Sequence, residues 1–271
     1  MGNFTFFAVP HYLGNIIKGR TEIDDLKSSG LAEAFGATWV DVVPDFDHAP
    51  NPMTAVHRAL AEAILRHPNQ FPVVFAADCV TSIGMVRGLT ERHGEVGIVW
   101  YDAHGDFNTP ETTPSGFIGG MPLAMLVGRG EQDLMRGAGV QPLNEGNILI
   151  TDARDLDPGE REALAASRIL HLPDVAELLT APLPQVPLYV HFDTDVVNLA
   201  EMPGMNYPAP GGPSLNTAAE TLQRVVQDGE VVGVLFGLWD TRMLTAENHA
   251  VPIASTRRLM QALADGLGAK G

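Results

Sequence analysis

The chain has 271 residues, a formal net charge of −16 and 45% hydrophobic residues. Such an acidic excess excludes a protein built to hold nucleic acid or an anionic membrane surface, since both need clustered Lys and Arg. One cysteine, Cys79, allows no intrachain disulfide, and the N-terminus lacks a basic-then-apolar leader, so a soluble cytoplasmic protein is expected.

The elements follow in order. Phe4–Val9 and Thr38–Val43 are apolar runs of strand length, and Met53–Arg66 has helical periodicity. Pro72–Ala76 predicts a strand leading into a helix over Thr81–His93. Val96–Tyr101 and Asn147–Thr151 predict two more strands, separated by a helix at Met121–Gly128. Helical patterns at Gly159–Ser167 and Val175–Leu179 precede a strand at Pro187–Asp193. Thr217–Gln227, Val231–Leu238 and Ile253–Leu267 complete the series as helix, strand and helix. Alternating strands and helices predict an α/β fold with a parallel sheet covered on both faces, and near-continuous apolar strands fit that burial. No repeat, low-complexity tract or linker divides the chain, so one domain over 1–271 is expected. Two long loops, Asn108–Gly120 and Asn198–Ser214, follow strands that end in acidic residues. Ligand sites in open parallel sheets lie at the carboxyl ends of strands, so both loops should frame one pocket.

The run Trp100-Tyr101-Asp102-Ala103-His104-Gly105-Asp106-Phe107-Asn108 carries three metal-competent side chains at alternate positions. If the extended form persists, Asp102, His104 and Asp106 share one side. His191-Phe192-Asp193-Thr194-Asp195 repeats the pattern, and Ala76-Ala77-Asp78-Cys79 closes a third strand. Together, Cys79, Asp102, His104, Asp106, Asp193 and Asp195 offer enough oxygen, nitrogen and sulfur donors for two cations with bridging carboxylates. Each motif alone is also what ordinary helix capping produces.

These three motifs, in this order and spacing, resemble those of the ureohydrolases: arginase, agmatinase and formimidoylglutamase. The resemblance implies a three-layer α/β/α fold with about eight parallel strands, a Mn²⁺ site of one or two ions, and a homo-oligomer, trimer or hexamer. It further implies hydrolysis of a non-peptide C–N bond by metal-activated hydroxide. Asp102 and Asp193 match bridging carboxylates, His104 and Asp195 match ligands of one metal, and Asp106 and position 79 match ligands of the other. Asn108, Ser115, Asp157 and Glu160 match contacts to the amino-acid end of a substrate. Asp157, before Pro158, is also a good N-cap.

The chain departs from the family at four places. Cys79 replaces a His ligand, which shifts preference towards Zn²⁺ or Fe²⁺ if it ligates. The alternative is a small buried Cys that binds nothing. His191 is an addition, either a support for a ligand carboxylate or a hydrogen-bonded core residue. Gly119 stands where arginases carry a proton-shuttling His, and Leu238 falls about where the family places a guanidinium-binding Glu. Asp240, one strand period on, is a shorter candidate for that task. Asp106 and Asp240 are therefore the candidate catalytic carboxylates. The expected activity is metal-dependent hydrolysis of a guanidino, amidino or formimino small molecule. A single-metal deacetylase-like enzyme and a catalytically altered binding or structural protein stay open.

Overall fold

The computed structural model describes residues 3–269. One parallel sheet holds β1 (Phe4–Val9), β2 (Thr38–Asp41), β3 (Phe71–Ala76), β4 (Gly97–His104), β5 (Ile148–Asp155), β6 (Leu170–Leu172), β7 (Leu188–Asp193) and β8 (Val231–Gly237). Their spatial order is β2-β1-β3-β8-β7-β4-β5-β6. A short antiparallel hairpin, His11–Tyr12 with Asn15–Ile16, stands apart.

Alternate strand residues divide between two cores, which makes the fold three-layered. Phe6, Phe75 and Tyr101 face a layer containing α1 (Glu22–Ser28), α2 (Leu31–Phe35), α8 (Leu215–Asp228) and α9 (Val251–Gly268). Phe7, Val74 and Trp100 face α3 (Pro52–Leu65), α4 (Ser82–His93), α5 (Pro122–Leu126), α6 (Asp133–Ala138) and α7 (Pro158–Ala165). Each large apolar side chain removed from water here contributes about 1.5–3 kcal/mol. The strands are thus apolar on both sides, as the near-continuous runs predicted.

Short elements differ from expectation. Leu170–Leu172 forms an edge strand of only three residues, too brief for any period to show. Val175–Leu179 is a 3-10 turn capped by Asp174 rather than an α-helix. None of the helices among the described residues is long and apolar enough to cross a membrane.

The topology positions the site. After β3 and β4 the chain passes to the α3–α7 layer; after β7 and β8 it passes to the α8–α9 layer. Because β8 and β7 lie between β3 and β4, the layer switches twice across the middle of the sheet. Crevices open at the carboxyl edge where such switches occur. The ends of β3, β7 and β4 meet there.

Candidate metal centre

Each strand end is fixed by local hydrogen bonds before it offers a ligand. After β3, Asp78 accepts from Leu13 N at 2.6 Å and Thr81 N at 2.9 Å, which sets the turn beginning at Cys79. The Cys79 thiol donates to Asp193 Oδ2 at 2.8 Å. At the end of β4, Asp102 accepts from His104 N at 2.7 Å and from Trp100 Nε1 at 3.1 Å. His104 Nδ1 lies 2.9 Å from Asp195 Oδ2 and 3.5 Å from Asp102 Oδ1. Asp195 Oδ1 accepts from Ala103 N at 3.1 Å, tying the β7 turn to β4.

The two-residue period explains only part of this convergence. β4 ends at His104, where its pairing with β5 shifts register. Asp106 then reaches the floor through a left-handed turn, φ +49°, while its carbonyl accepts from Leu123 N at 2.9 Å at the start of α5. A non-glycine residue held there stores about 1–3 kcal/mol. Likewise β7 ends at Asp193, and Asp195 sits in a 3-10 turn whose amide donates to Asp193 Oδ1 at 2.9 Å.

Two sets of donor atoms result, each gathered within 4.8 Å: Cys79, Asp102, His191 and Asp193; and Asp102, His104 and Asp195. Asp102 belongs to both. Asp193 belongs to one. Asp106 belongs to neither, although it lines the same cavity with Oδ2 buried and without a hydrogen bond. His191, read from the sequence mainly as a core residue, enters the first set. The signal that could have found it was its position one strand period before Asp193.

The floor is short of positive charge. Burial, and after it the charge of Asp195, pushes the Asp193 carboxyl up to about 7. Burial and Asp102 hold Asp106 well above the usual carboxylate range, and burial raises Asp102 and Asp195 too. Burial opposes a charge on His104, yet the hydrogen bonds it donates to Asp102 and Asp195 push it up to about 12. Burial and the charges of Asp193, Asp106 and Asp102 drive the Cys79 thiol upward. One imidazolium cannot balance four carboxylates. The surplus of buried oxygen donors, together with the orphaned Asp106 Oδ2 and His191 Nε2, fits divalent cations.

Above the floor opens a cavity of about 650 Å³. Asn108, Ser115, Asp157 and Glu160 all lie on its wall. Asn108 Nδ2 donates to Asp157 Oδ2 at 2.9 Å. Glu160 accepts from Asp157 N at 3.2 Å and from Phe107 N at 2.8 Å, so it caps α7 and pins the β4 loop together. Ser115 is exposed, in a turn with Thr113. Asp155 also lines the wall, 4.0 Å from His104 Nε2, and the sequence reading had passed over it. Phe117 packs against Tyr207 with ring centroids 5.2 Å apart. Its ring fills the space over Gly119: a Cβ there would lie 2.3 Å from Phe117 Cε1.

Arg154 joins the second long loop to the floor. Its guanidinium donates to the carbonyls of Asp195 and Ala209, both at 3.0 Å, and pairs with Asp152.

Asp240 requires a correction. β8 ends at Gly237, so strand alternation no longer applies three residues later. Asp240 N donates to Gly204 O at 2.8 Å, and its carboxylate is clamped by Arg242, at 2.9 Å to Nε and 2.6 Å to the terminal nitrogen. Arg20 Nε lies 3.8 Å away. Leu238 lines the cavity; Asp240 is not on its wall. Asp240 is a buried ion-pair partner, so the catalytic role expected for it is withdrawn.

A parallel sheet that gathers carboxylates and imidazoles at its carboxyl edge has the make-up of a metal-binding α/β scaffold. The sequence model of the Arginase family matches residues 20–235. An arginase of Bacillus subtilis (strain 168) is 31% identical over 200 residues, covering 69% of this chain and 68% of that protein. An arginase of Staphylococcus aureus (strain MRSA252) is 43% identical over 94 residues, 35% of this chain and 31% of its own. The crystal structure of an arginase from Bacillus subtilis subsp. subtilis str. 168 superposes with a TM-score of 0.84 at 25% identity, covering 97% of this chain and 98% of that one. The formimidoylglutamase of the same strain shares the fold, with a TM-score of 0.73 at 13% identity over 98% and 88% of the two chains. The chain belongs to the arginase family of metal-dependent amidino hydrolases.

Proposed function

We propose that the protein hydrolyses a C–N bond of a small linear amidine, a guanidino, amidino or formimino compound. Divalent cations are held by Asp102, His104, Asp193 and Asp195, with Asp106 and Cys79 completing the floor. The observation that carries this reading is the pair of donor sets, each within 4.8 Å and sharing Asp102, beneath a cavity sized for a small molecule. Bound there, such cations supply water activated for attack at neutral pH.

The protein's own groups do the positioning. Trp100 Nε1 and the His104 amide hold the Asp102 carboxylate, and the Ala103 amide holds that of Asp195. These contacts set donor directions in advance, which lowers the cost of assembling the reacting geometry. Asn108, Ser115 and Asp157 receive a polar, amino-acid-like end, while Phe117 and Tyr207 give the neighbouring wall an apolar face.

L-Arginine is not the favoured substrate. Leu238 presents no carboxylate to a guanidinium, and a charge-assisted hydrogen bond of that kind is worth about 1.5–3 kcal/mol. The test is a screen of protein loaded with Mn²⁺, Zn²⁺ or Fe²⁺ for release of urea, ammonia or formamide across guanidino, amidino and formimino compounds, with arginine alongside. The expected result is turnover of at least one compound well above arginine. Absence of product with every metal overturns the reading, and release of acetate from acetylated amines would move it to deacylation.

A further inference from the structure

Position 79 has lost an imidazole, and the structure shows another within reach of the same spot. His191 is fully buried on β7, the strand that carries Asp193. Its ring stacks on Trp100, with centroids 3.5 Å apart and planes 11° from parallel. Nδ1 lies 2.9 Å from the Tyr189 hydroxyl, whereas Nε2 makes no hydrogen bond. A ring nitrogen of His191 stands within 4.8 Å of Cys79 Sγ and of carboxylate oxygens of Asp102 and Asp193.

We propose that His191 Nε2 is a direct ligand of the metal position that Cys79 borders, supplying from β7, two strands across the sheet from β3, the imidazole absent at position 79. The inference rests on the metal reading of the floor. Three observations carry it. A buried imidazole nitrogen without a partner carries an uncompensated desolvation cost, and of the three such histidines among the described residues, His11, His57 and His191, His191 alone is grouped with other metal donors. Metal-ligating His residues donate their other ring N–H to a fixed acceptor, and the Tyr189 oxygen is placed to accept from Nδ1. Bonds of about 2.0–2.3 Å to one cation set its donors about 3.3–3.8 Å apart, so donors already within 4.8 Å need only small side-chain movements. The Trp100 stack fixes the plane of the ring while the same indole donates to Asp102, so one side chain orients two ligands.

The two metal positions are therefore chemically unequal. One combines thiolate, imidazole and carboxylates, a set that favours Zn²⁺ or Fe²⁺; the other, with Asp102, His104 and Asp195, keeps the oxygen-rich character that suits Mn²⁺.

X-ray absorption on protein loaded with two equivalents of Zn²⁺ tests this directly. The expected spectrum contains one sulfur and two imidazoles in total, His104 and His191. His191→Gln is expected to remove one imidazole, retain the sulfur, and weaken one of the two equivalents by at least about tenfold in a metal titration. Cys79→His combined with His191→Ser should restore the imidazole count and raise Mn²⁺ binding relative to Zn²⁺. If neither variant folds, the wild-type count still decides. Metal bound with a single imidazole overturns the assignment of His191 alone, whereas no bound metal overturns the metal reading as well.

Discussion

The floor and the rim of the cavity are built by different means. On the floor, three carboxylates at or just beyond strand ends are fixed by backbone amides or an indole: Asp102 by His104 and Trp100, Asp193 by Asp195, and Asp195 by Ala103. On the rim, Asn108, Ser115 and Phe117 belong to a loop held by local turns and by Glu160. On the proposed reading, the floor would supply the oxygen ligands that the resemblance implies. The rim presents Leu238, and Gly119 beneath a phenyl ring, where the resemblance implies a carboxylate and an imidazole. Chemistry is anchored to the sheet, and selectivity is written where exchange disturbs least.

Variants that break or sharpen this contrast follow, from the largest expected effect to the smallest. Asp193→Ala removes a floor carboxylate, the acceptor of the Cys79 thiol; turnover should fall by more than about 100-fold, with loss of bound metal by elemental analysis, since even supporting contacts cost 10–100-fold. Retained metal at full stoichiometry would sink the floor assignment. Trp100→Phe deletes the Nε1 donor to Asp102 but leaves an aromatic ring; metal affinity in a chelator competition should drop about 10–100-fold. Leu238→Glu acts on the rim. It should raise kcat/KM for arginine relative to other substrates by about tenfold or more, the value of one charge-assisted bond. An unchanged ratio would show that position 238 does not set selectivity.

The smallest expected effect belongs to Asp240→Asn. The Arg242 clamp weakens, so stability should fall by about 1–3 kcal/mol in denaturant titration, while turnover of the metal-loaded enzyme stays within about threefold. A collapse of turnover without loss of stability would restore a catalytic role to Asp240.

Acidity separates metal-free from metal-loaded protein. In the metal-free fold, burial and the charge of Asp195 push the Asp193 carboxyl up to about 7, well above the ordinary carboxylate range. A carboxyl raised in this way contributes stability below its unfolded value and loses it as pH rises through the folded one. Asp102, Asp106 and Asp195 shift the same way, and His104, raised to about 12, stays protonated across this window. With chelator present, Tm should therefore rise as pH is lowered from about 8 to about 7, above the range in which buried neutral His57 and His191 begin to oppose the trend. With Mn²⁺ bound, the trend should reverse, because the ligands must be deprotonated. Calorimetry showing one trend in both states would contradict the charge imbalance described for the floor.

Sequence made the sheet legible because its strands are buried on both faces and so read as unbroken apolar runs. Leu170–Leu172 escaped because three residues at an edge carry no period. In the site, alternation correctly joined Asp102 with His104, and it failed wherever the strand had already ended. Asp106 arrives by a left-handed turn and Asp195 by a 3-10 turn, while Asp240 departs with Arg242. Position in a strand is a local property. Where the chain turns out of the sheet, a side chain's direction is set by partners far away in sequence, which no local pattern records. His191 shows the converse. Its period was visible, but its meaning lay in Trp100, Tyr189 and Cys79 around it.

The Phe117 ring over Gly119 also couples two positions of the rim. A side chain at 119 and the ring at 117 claim one volume, since the new Cβ would lie 2.3 Å from the ring edge. A side chain at 119 therefore displaces the far edge of a half-buried ring, and with it the contact to Tyr207. The two positions act as one unit of the wall: what stands at 117 sets what fits at 119.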